Sequence, residues 1–485
     1  MRHLSDSTRL RCVSLAWNSL ASLALALTLG GLTLAGCPRS GTPGPGPDGG
    51  SGNDGGGIVD LGRGADASPG ADASTGTDAS VPGDASAPPD ATTQGVDATI
   101  ATDAGATNDG SAAPPVPPAS WTRRWPPAGA KLCETSSSNP SGTVYPTALT
   151  VRGGTIFVGT NCGELYRSTD AAQTWQPIPA PPSSSPIGGT ASKLPVNGFA
   201  STGTLLFAGF AGAGVYETPD DGATWNNFNA GLPSGPRIIY GMEIIGGQLY
   251  IATYGAGVLT TDVNQANWVA INGRDPNADP AVYGTYIETC PNAPGYTDPQ
   301  GNPLNFLSGL SLAHDTQYLY YGNKCGGVFR TPLSNLPAAA NWTAFDLGAP
   351  FFSSYYQDPF SLYFDGAFLY LGVDDEGIYR TSAPALPNWK FASSTLALNG
   401  GSTPIPKIDP LCWDRIGHYL FVGARFGGLH YTDMTAAGYG DTQNPTLLWV
   451  DVGPGPGSGA DTVFAIAHDA THVYAATETG LYVGQ

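Results

Sequence analysis

From residue 146 onward the apolar positions fall in short runs instead of helical stripes. A run such as TIFVG is followed by a glycine turn, a second run of the form Leu-Tyr-Arg-Ser, a polar loop and a Trp. Short runs rich in β-branched and aromatic residues, bounded by Gly, Asp and Asn, predict strands. The unit recurs along the chain as TIFVGTNCGELYRSTDAAQTW (155–175), TLLFAGFAGAGVYETPDDGATW (204–225) and QLYIATYGAGVLTTDVNQANW (248–268). It continues as QYLYYGNKCGGVFRTPLSNLPAAANW (317–342), AFLYLGVDDEGIYRTSAPALPNW (367–389) and YLFVGARFGGLHYTDMTAAGYGDTQNPTLLW (419–449). A seventh copy, HVYAATETGLYVG (472–484), stops before its Trp. The apolar residue after each glycine turn is Leu165, Val215, Val258, Val328, Ile378, Leu429 or Leu481, and a further short apolar strand precedes each copy. Four strands repeated about every fifty residues predict the blades of a β-propeller.

Six copies carry their own outer Trp strand, so the seventh blade lacks one. The segment SWTRRW (120–125) supplies it through Trp121 or Trp125. Pairing a first strand with the last blade removes the open edges of the ring. The expected fold is all-β, a monomeric seven-bladed β-propeller over residues 119–485 closed by an N-terminal strand. An eighth blade arises only if the insertion after Trp268 forms one.

The loop Thr218-Pro219-Asp220-Asp221-Gly222-Ala223-Thr224-Trp225 resembles the Asp-box, S/T-x-D-x-G-x-T-W, of BNR-repeat propellers, which include sialidases and sortilins. Ser168-Thr169-Asp170-Ala171-Ala172-Gln173-Thr174-Trp175 is a degenerate copy without the Gly. The resemblance implies a structural box. Asp170 and Asp220 accept hydrogen bonds from turn N–H groups, Gly222 makes the turn, and Trp175 and Trp225 pack between blades. His314-Asp315 and His468-Asp469 fall at matching repeat positions and read as framework for the same reason.

Composition agrees with strands and turns: Gly 67, Pro 43, 12% charged and 10% aromatic residues. The net charge of -19 argues against a nucleic-acid partner, whose phosphates would be repelled. The charge also divides the chain. Residues 1–36 join a basic start (Arg2, Arg9, Arg11) to an apolar run, Leu23-Ala24-Leu25-Ala26-Leu27, as an export signal does. The run ends in Leu34-Ala35-Gly36-Cys37, which resembles a bacterial lipobox. That resemblance implies lipidation at Cys37, and Pro38 at the next position implies passage to the outer membrane. The expected address is therefore the cell envelope, with the membrane a partner through the lipid.

Residues 37–118 have almost no large apolar side chains and carry eleven Asp against Arg39 and Arg63. Such a segment buries too little to offset its chain entropy and is expected to be a disordered linker. Asp recurs every six residues from Asp48 to Asp90 and resumes at Asp97. Calcium loops instead gather their oxygens in one tight turn, so even spacing favours an extended spacer.

Cys162 and Cys325 lie at nearly the same place in their repeats, and each has another Cys upstream. The expected disulfides are Cys133–Cys162 and Cys290–Cys325, with Cys412 left over. A zinc site would need closer Cys and His spacing, so neither metal nor cofactor is assigned.

In propellers one face is built from the loops entering each inner strand and from the turns between second and third strands. Here the entry loops are long, and the turns present Phe210, Tyr254, Lys324, Asp374, Asp375, Glu376, Arg425, Phe426 and Glu478, with Tyr355 and Tyr356 on one loop. Aromatics interleaved with charges suit a protein or glycan partner. The alternative is a glycoside hydrolase in which Asp374, Asp375 or Glu376 faces Glu478 or Glu164. A sialidase is disfavoured, because Arg237-Ile238-Ile239 is not its Arg-Ile-Pro motif and Arg167, Arg330 and Arg380 recur at one repeat position.

Overall fold

The computed structural model describes residues 117–485, apart from segments 128–132, 134–141, 182–193, 234–237, 273–295, 298–302, 305–307, 325–326, 338–341, 346–357, 383–387, 393–407 and 453–460 and the single positions 180, 375, 444 and 446. The signal, Cys37, the linker, Cys290, Cys325, Tyr355, Tyr356 and Asp375 lie outside the described residues.

Seven four-stranded antiparallel sheets follow one another along the chain. Blade 1 runs Pro146–Arg152, Thr155–Thr160, Leu165–Ser168 and Gln176–Ile178. The inner strands of blades 2 to 7 are Val196–Ser201, Ile238–Ile245, Gly309–His314, Pro359–Phe364, Asp409–Ile416 and Val463–His468. Each inner strand lies against the next, and that of blade 7 lies against that of blade 1, so the ring is closed. The insertion after Trp268 contributes only the two-stranded pair Tyr296–Thr297 and Pro303–Leu304, which is not a blade. Seven is the count.

Blade 7 is completed by Trp121–Arg123, paired with Gly480–Gly484 in the register Trp121↔Gly484. The closing Trp is thus Trp121. Trp125 instead seals the neighbouring seam. It is buried between blades 7 and 1, donates from Nε1 to the Val144 carbonyl at 3.1 Å, and meets Tyr166 and Trp175 edge-on.

The second strands are buried almost along their whole length, as in Phe368–Val373, because neighbouring blades cover both sheet faces. Within them one position is always small: Gly159, Gly209, Ala252, Gly322, Gly372, Gly423 and Ala476. A methyl group on Gly372 would stand 2.5 Å from Ser361 Oγ and 2.7 Å from the Pro410 carbonyl oxygen of the next blade. The small residue sets how closely two blades approach.

The outer Trp residues join neighbouring blades. Trp175, Trp268, Trp342, Trp389 and Trp449 each donate from Nε1 to the carbonyl of Arg124, Phe228, Ile271, Phe345 and Ala392 on the preceding blade. In every case the acceptor lies three residues past that blade's own Trp.

Candidate functional site

All seven inner strands carry a β-bulge at the same register. The extra residues are Thr147, Asn197, Tyr240, Leu310, Phe360, Leu411 and Phe464. All seven line the central channel. A bulge re-aims a side chain and sharpens local twist, so these residues form a collar where each strand enters the ring. The residue just before the bulge offers its carbonyl to the previous blade. Thr147 and Asn197 donate to Val196 and Ile239, and Ser311 and Ser361 donate to Pro359 and Pro410.

Around this collar the turns between second and third strands bring the predicted charged residues together across blades 4 to 6. Arg425 sits between two carboxylates: Nη2 is 2.7 Å from Asp374 Oδ1 and 2.6 Å from Asp409 Oδ2, and Nε is 2.8 Å from the same Asp409 oxygen. Its guanidinium also lies over the rings of Phe360, at 5.0 Å, and Phe426. One seam back, Lys324 Nζ is 3.7 Å from Asp358 Oδ2 and lies over the Tyr254 ring at 5.7 Å. Burial pulls the Lys324 ammonium down, but Asp358, Tyr254 and Asp374 outweigh it and hold its pKa above the ordinary value. Phe426 has a positive φ of 56° and is 38% exposed, which presents its ring outward beside the arginine.

The predicted candidates therefore divide. Lys324, Asp374, Arg425 and Phe426 form one connected cluster. Tyr254 is buried beneath it, edge-on to Tyr240 at 6.4 Å, and serves as its floor. Phe210 is a correction: it is fully buried against Tyr216, since it faces the sheet interior at the strand end, and offers nothing to a partner. Glu478 stands apart at the junction of blades 7 and 1, near the stacked pair Tyr145 and Phe464, whose centroids are 5.5 Å apart. Burial and the neighbouring Asp461 hold its carboxyl above the usual range. Glu376 is half-buried on the blade 5 turn, and burial foremost, with the Glu376 charge second, pushes the nearby Tyr379 phenol up to about 12.

Asp374 does meet a second carboxylate, but that partner is Asp409 and one guanidinium nitrogen lies between them. A hydrolytic pair needs both carboxyls open to substrate, whereas here both are hydrogen-bonded to Arg425. Asp358 and Asp409 were missed from sequence because they close long entry loops and have no repeat signature. Their only signal was an Asp two residues before each bulge.

On the opposite rim the two Asp-box loops share one network. Asp170 Oδ1 accepts from Thr174 N at 2.9 Å, and Asp220 Oδ1 from Thr224 N at 2.8 Å. Ser168 Oγ and Thr218 Oγ1 each accept an N–H four residues on, from Ala172 and Gly222. The Thr174 and Thr224 side chains, followed by their backbone N–H groups, lower both Asp pKa values. Trp225 packs in the seam with Ile178. Asp315 and Asp469 each cap two turn N–H groups and accept the hydroxyl of the Tyr five residues on, Tyr320 or Tyr474.

Cys133 and Cys162 stand within bonding distance, with Cα atoms 5.6 Å apart, where the first entry loop meets blade 1. Cys412 is half-buried on the blade 6 inner strand, with its Sγ 3.6 Å from the Val463 carbonyl.

No protein-family model matches the chain, and no curated protein matches it. Among solved structures it is similar to YCF48 from Cyanidioschyzon merolae, at 12% identity and a TM-score of 0.47 over 76% of this chain and 99% of that one. It is also similar to the extracellular domain of the two-component system protein BT3049 of B. thetaiotaomicron, at 12% identity and a TM-score of 0.46 over 70% of this chain and 40% of that one. A third is PorZ, a surface component of the type-IX secretion system of Porphyromonas gingivalis, at 15% identity and a TM-score of 0.43 over 74% and 37%. Likenesses this distant carry no functional argument, and the blade count rests on the seven sheets themselves.

Proposed function

We propose that this chain is a lipid-anchored envelope protein, of the BNR-repeat type, whose propeller binds a protein or glycan partner through the loop face without performing chemistry on it. The observation that supports a binding role is the Arg425 clamp. Its charges are held in place before any partner arrives, by Asp374 and Asp409, with Phe426 exposed beside them. Pre-ordered polar groups lower the entropy lost on association. The same clamp occupies the carboxylates that hydrolysis would need. The shared turn network of Asp170 and Asp220 supports the repeat type, and the sequence around Cys37 supports the anchor.

The test uses the full chain. Wild type, Arg425→Ala, Phe426→Ala and an opposite-rim control, Asp220→Asn, are compared in affinity capture from envelope extract and on a glycan array. The expected outcome is one ligand retained by wild type and control and lost by both loop-face variants. Equal capture by all four would overturn the assignment of the face. Turnover of sialosides or β-glucans that disappears in Asp374→Asn would replace binding with catalysis. Cys37→Ala should release the protein from membranes, and continued retention would remove the anchor.

A further inference from the structure

Two buried histidine–carboxylate pairs join neighbouring blades, and they repeat each other three blades apart. At the seam of blades 3 and 4, His314 Nδ1 lies 3.2 Å from Glu243 Oε2. At the seam of blades 6 and 7, His468 Nδ1 lies 2.8 Å from Asp414 Oδ2. The side chains are 12% and 6% exposed in the first pair and 6% and 5% in the second, histidine first. Both acids stand three residues after their bulge and both histidines four residues after theirs. The two residue types occur together or not at all: the same positions hold Ala313 and Phe364 at the next seam, and Ala467 and Val151 where blade 7 meets blade 1.

The position at which Ser311 and Ser361 bond the next blade's carbonyl is weaker at these two seams. The corresponding residue is Gly241 at one, which has no side chain, and Cys412 at the other, whose thiol is a weak donor 3.6 Å from the Val463 carbonyl. The two seams bound the arc of blades 4, 5 and 6. That arc is tied together on the loop face by the Lys324–Asp358 contact and by Arg425 on Asp374. Within the arc the ties are permanent charges. At its two ends the buried carboxylates of the inner strands face histidine.

We propose that the pairs form a pH-sensitive clasp: in mildly acidic solution protonated His314 and His468 draw the arc of blades 4–6 against the rest of the ring, and in alkaline solution both seams loosen. A buried carboxylate facing a cation is stable, whereas one facing neutral imidazole has lost its counterion. The surrounding charges agree. Burial opposes protonation of His314, but Glu243, with Asp315 adding to it, holds its pKa above the ordinary value. Near the second pair, the Asp469 carboxylate is taken by its own turn and by Tyr474. Arg415, next to Asp414 in its strand, donates instead to the Asp365 carbonyl at 2.6 Å. A histidine pKa raised by folding adds stability that is complete below the unfolded value and is lost as pH rises through the folded one. His430 acts oppositely, since burial lowers its pKa, and its effect belongs to more acidic solution.

The experiment follows the urea midpoint of the full chain from pH 5.5 to 9 for wild type, the double variant His314→Gln/His468→Gln, and the control His418→Gln at an exposed histidine. Wild type and control should lose about tenfold in folding constant for each unit by which folding raises a histidine pKa. The clasp variant should lose that alkaline slope. A slope that survives in the clasp variant, or a wild type without one, overturns the proposal. Hydrogen exchange of the wild type, corrected for intrinsic rate, tests it without mutation. Between pH 6 and 8.5 the inner strands at seams 3/4 and 6/7 should lose protection more than those at seam 4/5, and a uniform change refutes the clasp.

Discussion

Gly372→Ala tests the claim that one small position on each second strand sets the spacing of the blades. The added methyl would meet Ser361 Oγ at 2.5 Å, Pro410 Cβ at 2.6 Å and the Pro410 carbonyl oxygen at 2.7 Å. Two of these belong to the next blade and one is backbone, so relief requires the seam between blades 5 and 6 to open. Overpacking of this kind costs about 1–3 kcal/mol. Separation also stretches the Ser361 Oγ bond to Pro410 O, now 2.8 Å, whose loss costs about 1 kcal/mol. The expected total is about 2–4 kcal/mol, read as a lower urea midpoint at unchanged slope. Blade 3 already carries the methyl, as Ala252, but there the facing inner-strand residue is Gly241 and the next blade enters with Gly309. Adding Ser361→Gly to Gly372→Ala should therefore relieve the hydroxyl clash and leave the Pro410 contact. A Gly372→Ala protein within about 0.5 kcal/mol of wild type, the range of neutral surface changes, would refute the spacing argument. So would full recovery in the double variant, because Pro410 would then contribute nothing.

Two further changes test other parts of the molecule. Trp449→Phe keeps most of the apolar body but removes the 2.7 Å bond to the Ala392 carbonyl, and should lower stability by about 1–2 kcal/mol in chemical denaturation. Glu478→Gln should stabilise the protein at neutral pH. Burial and Asp461 raise its carboxyl pKa, so the folded state favours the protonated form, and the gain should vanish as pH falls through the carboxylate range in thermal melts.

What the sequence revealed tracks what repeats. The recurring glycine turn and Trp made the blade count legible. The Asp-x4-Tyr spacing in HDTQYLY and HDATHVY marks turns that the structure shows capped by Asp315 and Asp469. Self-similarity exposes contacts made within a blade, because each copy contains both partners. It exposes contacts between blades only when every seam uses the same residues, as the Trp series does. The Arg425 clamp and the His–carboxylate pairs join unlike positions on different blades, so no single copy displays them. Burial was the other hidden quantity. Phe210 ends the second strand of blade 2 and is wholly enclosed, whereas Phe426 lies in the turn past the second strand of blade 6, at positive φ, and looks outward.

The closing strand has a consequence for when the protein becomes whole. Blades 1 to 6 each draw their four strands from one stretch of chain, so each can form as its own stretch is synthesised. Blade 7 pairs Trp121–Arg123 with Gly480–Gly484, the two extremes of the propeller sequence. Until the second of these has been made, blade 7 cannot be completed and the ring cannot close. The ring thus has a distinct moment of completion. Any factor that guards the unfinished arc must act before that moment and lose its binding site at it.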